Sequence, residues 1–588
     1  MRGYGPSGRA RNVPEAGQDD ARPRRRPGTS LMMQEVTPPR SRSLPDLLDE
    51  IAVLDPVREF IVGATDRLTY GEARARVRQL AKGLHRLGVR RGDKVALLMP
   101  NRPEWLLVDF AVTLLGATLV PVSTWSRARE LAYVLDHSDA TTLIAVERFA
   151  GQDYLGMLAE LGGPGSDRLP QLRRVVVVGN VGAAGKRADA PVRRADAPVR
   201  FDQVWKLGAS VGDAEIDAAQ RSVKADDVAY ILYTSGTTST PKGVQLQHGG
   251  LIENMWNIGE RQHLTPADRM WMGISLFWSF GGANALLAVM THGGTLVLQE
   301  SFDAAGALEL IERERCTVYY GTPNIALALT EHPDRRRRDL SSLRTGAAIG
   351  PPSAIQMVMD LGAREICNVY GLTECYGNCA VTDAHDPEDR RLATVGTPLP
   401  GMDIRIVDHQ TRRPLPPGEV GEILVRGYLT PGYYKDPEKN AAAFDADGFL
   451  VTGDLGFIGG DGYLRFRGRI KEMVKTSGIN VAPLEVEEVL LGHPAVEQAY
   501  VVGLPDPRRE EIIAAVVVLR EGHATEPEAL RTFCRRALAA FKVPQEVRVL
   551  RREELPVTDT GKVQKLRLAE MLAKERGPAG ASARPASP

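Results

Sequence analysis

Residues 228–244 read VAYILYTSGTTSTPKGV. Ala229, Tyr230, Ile231, Leu232 and Tyr233 make a short apolar run of the kind that becomes a buried strand. A loop of hydroxyls around one glycine follows, Thr234, Ser235, Gly236, Thr237 and Thr238, and then Pro241, Lys242 and Gly243. Such a loop, leaving a strand, gathers backbone N–H groups and hydroxyls around phosphate oxygens, and a lysine adds positive charge. The string is not the GxxxxGK[ST] phosphate loop, because Pro241 precedes the lysine and Gly243 follows it. Taken alone it is equally a Ser/Thr-rich surface turn.

Outward from that stretch the pattern is α/β. On its N-terminal side, residues 71–87 have helical periodicity, whereas 95–98, 117–122 and 175–178 are short apolar runs. On its C-terminal side, strand-like runs at 295–298, 316–320 and 365–370 are separated by helical stretches such as 304–314. Strands alternating with helices predict largely parallel sheet with helices on its faces. Residues 401–426 and 462–467 read as hairpin-type strands with Gly and Pro turns. A last unit follows: helix 483–491, strands 499–503 and 512–519, and helix 526–540, the size of a small α+β domain.

The chain of 588 residues is too long for one ordinary domain. Its 43% hydrophobic and 25% charged content is that of a soluble globular protein. The 74 basic and 74 acidic residues cancel, so no net field attracts nucleic acid or an anionic membrane, and neither is an expected partner. Five cysteines, without CxxC spacing, argue against a disulfide framework or a zinc site and for a reduced, cytoplasmic compartment. No apolar run approaches the ~20 residues that span a bilayer. Residues 1–31 are rich in Arg, Gly and Pro and lack the apolar core of a secretory signal. Glu15, Asp19 and Asp20 oppose a transit peptide, which leaves a disordered extension or a start at Met32 or Met33. Residues 179–200 contain a tandem repeat of RADAPVR, too short and too polar for a core, and read as a flexible surface loop.

Taken whole, the 233–244 string resembles the phosphate loop of the adenylate-forming (AMP-binding) superfamily of acyl-CoA synthetases, luciferases and peptide-synthetase adenylation domains. Ser239 stands where that loop usually has Gly. Further resemblances recur in the family's order. NVYGLTE at 368–374 is similar to its YGxTE segment, which implies Glu374 as ligand of Mg²⁺, Thr373 as a phosphate contact and Tyr370 stacked on adenine. TGAAI at 345–349 resembles the other wall of the adenine slot, with Gly346, Ala347 and Ala348. VTGDL at 451–455 makes Asp454 the acceptor for the ribose hydroxyls, and GRIKEMVKTSGINVAP at 468–483 resembles the interdomain hinge. There Arg469 is expected on the ribose, Lys471 at the pivot, and Lys475 and Gly478 on the loop used in the thioester-forming state. LPVTDTGKVQKL at 555–566 implies Lys562 as the catalytic lysine.

The resemblance implies an extension at 1–43, an AMP-binding domain at 44–468 with the insertion at 179–200, a small mobile C-terminal domain at 469–573, and a disordered tail at 574–588. It also implies ATP, Mg²⁺ and coenzyme A as cofactor and co-substrates, and a small carboxylic acid as the group activated. SLFWSFGG at 275–282 stands at the acyl pocket. Amino-acid-activating relatives have Phe-Asp there; this chain has Phe277-Trp278, so a buried ammonium would lack its counter-charge. Trp278 is a pocket cap, a gate to the pantetheine tunnel, or core packing. By resemblance Ser279, Gly281, Gly321, Gly371 and Cys375 line the pocket, and a medium-chain, branched, alicyclic or aromatic monoacid is the expected substrate. The acceptor is CoA or, alternatively, a carrier-protein thiol or an amine. A silent binder of nucleotide is opposed by the presence of Lys562, Glu374 and Asp454.

Overall fold

The computed structural model describes residues 37–179, 198–234, 241–476, 479–506, 509–558 and 562–576. Ahead of Leu44, the Arg40 and Ser41 backbone N–H groups donate to the Glu50 carboxylate. Ser43 then caps the helix Leu44–Leu54, whose Leu44, Leu47, Leu48 and Ile51 recur at helical spacing and are buried.

Two mainly parallel sheets make the body of the molecule. The first has nine strands. Its centre is parallel, in the order Glu365–Tyr370, Thr345–Ala348, Val318–Gly321, Arg269–Met272, Thr295–Leu298 and Glu59–Val62. Short antiparallel strands close both edges. The second sheet has seven strands. There Val228–Thr234 lies parallel to Thr118–Pro121 and antiparallel to Lys242–Gln247. Strands such as Thr295–Leu298 and Thr118–Pro121 are buried throughout, which is why they read as unbroken apolar runs. The expected loop over 179–200 ends sooner than its composition suggests: Val199–Arg200 is a strand, paired in parallel with Arg174–Val178. The repeat itself lies outside the described residues apart from its end.

A four-stranded antiparallel sheet follows, in the order Asp403–Val407, Gly421–Arg426, Leu450–Ile458, Leu464–Arg469. The C-terminal unit is a five-stranded sheet built on Val496–Asp506 and Glu510–Leu519. The second of these is buried on both faces. Ile513, Ala515 and Val517 pack with Val486, Leu490 and Leu530, while Ile512, Ala514, Val516 and Val518 pack with Leu568 and Leu572. Alternate side chains of a strand point to opposite faces, so one apolar run serves two cores.

Candidate active site

The glycine-hydroxyl loop is the connection of a β-hairpin. Thr234 pairs with Lys242 and Tyr233 with Gly243, so the loop leaves and re-enters one sheet. Ser235, Gly236, Thr237 and Thr238 lie outside the described residues. At the base, the Lys242 ammonium is 2.5 Å from Glu374 Oε1 and 2.9 Å from the Tyr433 hydroxyl, and stands over the Tyr433 ring. Tyr433 in turn donates to Glu374 Oε1 at 2.8 Å. Burial, with the Glu374 charge beside it, raises the Tyr433 pKa, so the phenol stays a donor. Asn440 holds Tyr433 in place, accepting from its N–H at 2.6 Å and donating to its carbonyl at 3.0 Å.

Glu374 and Thr373 belong to a 3₁₀ turn, Thr373–Cys375, just beyond the strand Glu365–Tyr370. Glu374 is buried and Thr373 half-buried. Gly371 opens this turn, packed so closely that a Cβ would meet the Gly377 carbonyl at 2.0 Å. Gly346, Ala347 and Ala348 form the next strand of the sheet. Gly346 has φ +129°, and a Cβ there would collide with the Tyr319 carbonyl, so the position requires glycine.

Tyr370 ends its strand with its hydroxyl on Asp454 Oδ2 at 2.8 Å and its ring stacked on Phe466. Arg469 Nε donates to Asp454 Oδ1 at 3.1 Å, and the two residues are paired across neighbouring strands. Burial raises the Asp454 pKa, although Arg469 and Tyr370 oppose it. In the C-terminal unit, Lys562 feels the charges of Arg469, Glu472 and Asp454. Its backbone N–H donates to Thr558 Oγ1 at 3.1 Å. Lys562 keeps exposed surface. Enough protein nevertheless crowds its ammonium that desolvation, followed by repulsion from Arg469, lowers its pKa against Glu472 and Asp454. Lys471 is exposed in the single turn Ile470–Glu472 between the two units. Lys475 is exposed on Val474–Thr476, and Gly478 lies outside the described residues.

On the acyl side, Trp278 leads into the π-helical turn Ser279–Ala285. Its ring and that of Phe277 both pack edge-on to Trp125, at 5.8 and 5.0 Å. Ser279 Oγ is buried without a hydrogen-bond partner. Gly281 backs onto the Ser275 carbonyl, which a Cβ would approach to 2.3 Å. Gly321 ends the strand Val318–Gly321, and Cys375 is fully buried with its Sγ 3.2 Å from the Leu372 carbonyl. Gly321, Ala348, Tyr370 and the segment after Arg269–Met272 all stand at carboxyl ends of neighbouring parallel strands, where open α/β sheets bind ligands.

A family model described as AMP-binding enzyme matches residues 48–434, and one described as AMP-binding enzyme C-terminal domain matches 485–562. The chain belongs to the AMP-binding enzyme family. This AMP-binding enzyme is 36% identical over 540 residues to Bacillus subtilis YngI, whose name is that of an acyl-CoA synthetase, covering 89% of this chain and 96% of that one. It is 31% identical to the mitochondrial medium-chain acyl-CoA ligase ACSF2 of Danio rerio, over 89% of this chain and 87% of the other. Among solved structures, the anthranilate CoA ligase AuaEII in complex with anthranoyl-AMP is similar with a TM-score of 0.76 and 28% identity, over 90% of this chain and 98% of that one.

In this AMP-binding enzyme the structure adds residues that the motifs do not name. Tyr433 bridges Lys242 and Glu374, Phe466 backs Tyr370, and Trp125 receives Trp278. Tyr433 stands in PGYYKD at 431–436, where a paired tyrosine after a glycine turn carries no chemical signature of its own. No helix among the described residues is long and apolar enough to cross a membrane.

Proposed function

We propose that this AMP-binding enzyme is an ATP-dependent carboxylic acid:CoA ligase that works through an acyl-adenylate. The single observation that carries the reading is the Asp454–Arg469 pair, bonded to Tyr370 at the end of the central sheet. A carboxylate, an arginine and a tyrosine so joined suit a nucleoside, and the charges of Arg469 and Asp454 felt by Lys562 support a role for this lysine beside them. Relatives named acyl-CoA synthetases and ligases, at 31–36% identity over most of the chain, support CoA as acceptor.

In the first half-reaction a carboxylate oxygen attacks the α-phosphorus of ATP, and the bond to pyrophosphate breaks. The 234–238 loop and Lys242 hold the phosphates, Asp454 and Arg469 hold the ribose, and Gly346 to Ala348 with Tyr370 flank the base. Lys562 offsets the negative charge that gathers between carboxylate and α-phosphate. Mg²⁺ is the cofactor of this step, and the residues fit it. The Thr373 hydroxyl and Glu374 carboxylate are adjacent hard oxygen donors, and both hydrogen bonds described at that carboxylate fall on Oε1. Glu374 would hold the ion, which when bound neutralises phosphate charge. In the second half-reaction the CoA thiol attacks the acyl carbon and AMP leaves, after the C-terminal unit turns about Lys471 and brings the loop of Lys475 and Gly478 forward.

The acid is a medium-chain, branched, alicyclic or aromatic monoacid. Supporting this are the aromatic surroundings of Trp278 and the absence of an aspartate at that position. The five cysteines are free and buried, which supports a reducing compartment such as the cytoplasm. A second reading, transfer to an amine or a carrier-protein thiol, draws on similarity to the amide bond synthetase McbA of Marinactinospora thermotolerans (TM-score 0.74, 28% identity).

The test is release of AMP and pyrophosphate from ATP with a panel of acids, with and without CoA. CoA-dependent turnover on at least one monoacid is the expected result. An adenylate that stalls with CoA but is discharged by an amine or a carrier protein moves the function to the second reading. Absence of pyrophosphate release across the panel removes both.

A further inference from the structure

We propose that His263, Asp383 and His385 form a structural site for a divalent transition-metal ion of the zinc class, away from the adenylation chemistry. One ligand atom from each of these side chains lies within 4.8 Å of the others. His263 Nε2 is 2.9 Å from Asp383 Oδ1, and the two imidazole rings are stacked with centroids 3.9 Å apart and planes 20° from parallel. Nitrogen and oxygen ligands of a tetrahedral zinc ion, each about 2.0–2.1 Å from the metal, stand about 3.3 Å from one another. The His263–Asp383 separation therefore needs only a small opening to admit the ion, and the stacked rings must tilt for both nitrogens to face it. Imidazole with carboxylate is a donor set that suits zinc and its neighbours rather than magnesium or calcium.

The backbone builds this arrangement deliberately. The helix His248–Arg261 ends through Gln262, and His263 follows with φ +50°, closed by hydrogen bonds from His263 N to Glu260 O and from Leu264 N to Gly259 O. Glycine is the usual residue at such a left-handed helix end, and histidine occupies it here. Asp383 and His385 belong to a second tight turn. Asp383 Oδ1 accepts from the His385 N–H at 2.9 Å, and Asp386 Oδ2 accepts from the Asp383 N–H at 2.9 Å. The Ala384 N–H donates to the Arg261 carbonyl, tying the two turns together.

The charges around the cluster leave it a cation's share. Arg261 approaches Asp383 through Oδ2, at 4.0 Å, and leaves Oδ1 to the histidines. Glu365 stands next to His385 but outside the three-residue cluster: its Oε1 is 4.0 Å from His385 Nε2, while its Oε2 pairs with Arg344. Solvent can supply the fourth position, since His385 is 61% exposed. Glu365 begins the strand Glu365–Tyr370, and Arg344 immediately precedes Thr345–Ala348. The cluster therefore lies at the amino ends of the parallel strands whose carboxyl ends carry Ala348 and Tyr370. At that end an ion clamps the helix after the phosphate hairpin to the sheet edge; it does not meet ATP.

Isothermal titration of the tag-free, nucleotide-free chain with ZnCl₂ tests this, with thermal unfolding followed in parallel. One equivalent of Zn²⁺ is expected to bind and to raise Tm, whereas Mg²⁺ should do neither. His385→Ala, and His263→Asn, which tolerates the left-handed backbone, are each expected to weaken binding at least 10-fold, the lower bound seen even for outer-shell changes. Both variants should keep ATP- and CoA-dependent turnover. Cobalt substitution should give a spectrum without thiolate-to-metal charge transfer. No saturable zinc binding, equal affinity in wild type and both variants, or a thiolate spectrum pointing to the cysteines would each overturn the site.

Discussion

The ammonium of Lys562 is held among charges of both signs, and that governs how it should titrate. Desolvation, then Arg469, favour its neutral form, so its proton leaves at lower pH than that of an ordinary lysine, near 10.4. If the charged form supports adenylation, activity is full below the shifted pKa and falls as pH rises through it. The alkaline limb of kcat/KM for pyrophosphate release should then lie below the ordinary lysine range. Lys562→Arg should move that limb beyond the measurable range, whatever it costs in rate. Lys562→Ala should slow adenylation on the order of 10²–10³-fold, the usual loss for one electrostatic stabiliser, yet spare thioester formation from a supplied acyl-adenylate. Equal damage to both half-reactions would contradict this division. Tyr433 makes a second case. Removing its hydroxyl from the Lys242–Glu374 pair costs a hydrogen bond to charged groups, about 1.5–3 kcal/mol. Tyr433→Phe should therefore raise the KM for ATP about 10- to 100-fold, read in initial-rate assays with the acid saturating. Lys562, Glu374 and Asp454 were legible because each sits in a short string of fixed spacing. Tyr433 was not, since it meets Glu374 across 59 positions and Lys242 across 191, a juxtaposition set by sheet packing alone.

At the scale of elements, strands buried on both faces announce themselves most clearly. Thr295–Leu298, Glu365–Tyr370 and the helix Ala304–Glu314 stand where the apolar runs and periodicity put them. Shorter elements have no such signal. The two residues Val199–Arg200 follow a polar repeat, and only their register with Val176 and Val177 makes them a strand. The same is true of the hairpin around residues 234–242: the sequence reads as a strand and a loop, whereas the return strand Lys242–Gln247 has an alternating run of only four residues, Val244 to Gln247, and is fixed by pairing with Val228–Thr234. The parallel pairing of Val199–Arg200 limits what may join it to Arg174–Val178. A connection between parallel strands must run back along the strand before re-entering. Each linking residue spans at most about 3.3–3.6 Å. Replacing residues 180–197 with an eight-residue Gly/Ser bridge should leave Tm within about 2 °C and turnover unchanged. A two-residue bridge cannot make the return, and should lower Tm by freeing the edge strand. Equal Tm for both bridges would show that the pairing contributes nothing.

Over the whole molecule, the C-terminal unit has its own cores on either face of its sheet. One of its links to the body, Arg552 at 3.2 Å from Glu331, is polar and exposed. A surface ion pair of this kind contributes little, so it permits the units to separate. In the proposed cycle the single turn Ile470–Glu472 would absorb the rotation, and Lys471 is exposed at its middle. A 3₁₀ turn has φ near −50 to −70°, which is also the range to which proline is confined. Lys471→Pro is therefore compatible in φ with the turn Ile470–Glu472 as it stands, and resists any other conformation there. Lys471→Ala removes the ammonium but leaves φ free. The proline variant should retain most of its adenylation rate while thioester formation from supplied acyl-adenylate falls at least 10-fold, and the alanine variant should lose much less of the second step. Rapid-quench measurement of each half-reaction separates these outcomes. If the two variants lose thioester formation equally, the lysine side chain rather than backbone rotation is what the second step needs, and the pivot must lie elsewhere in the chain.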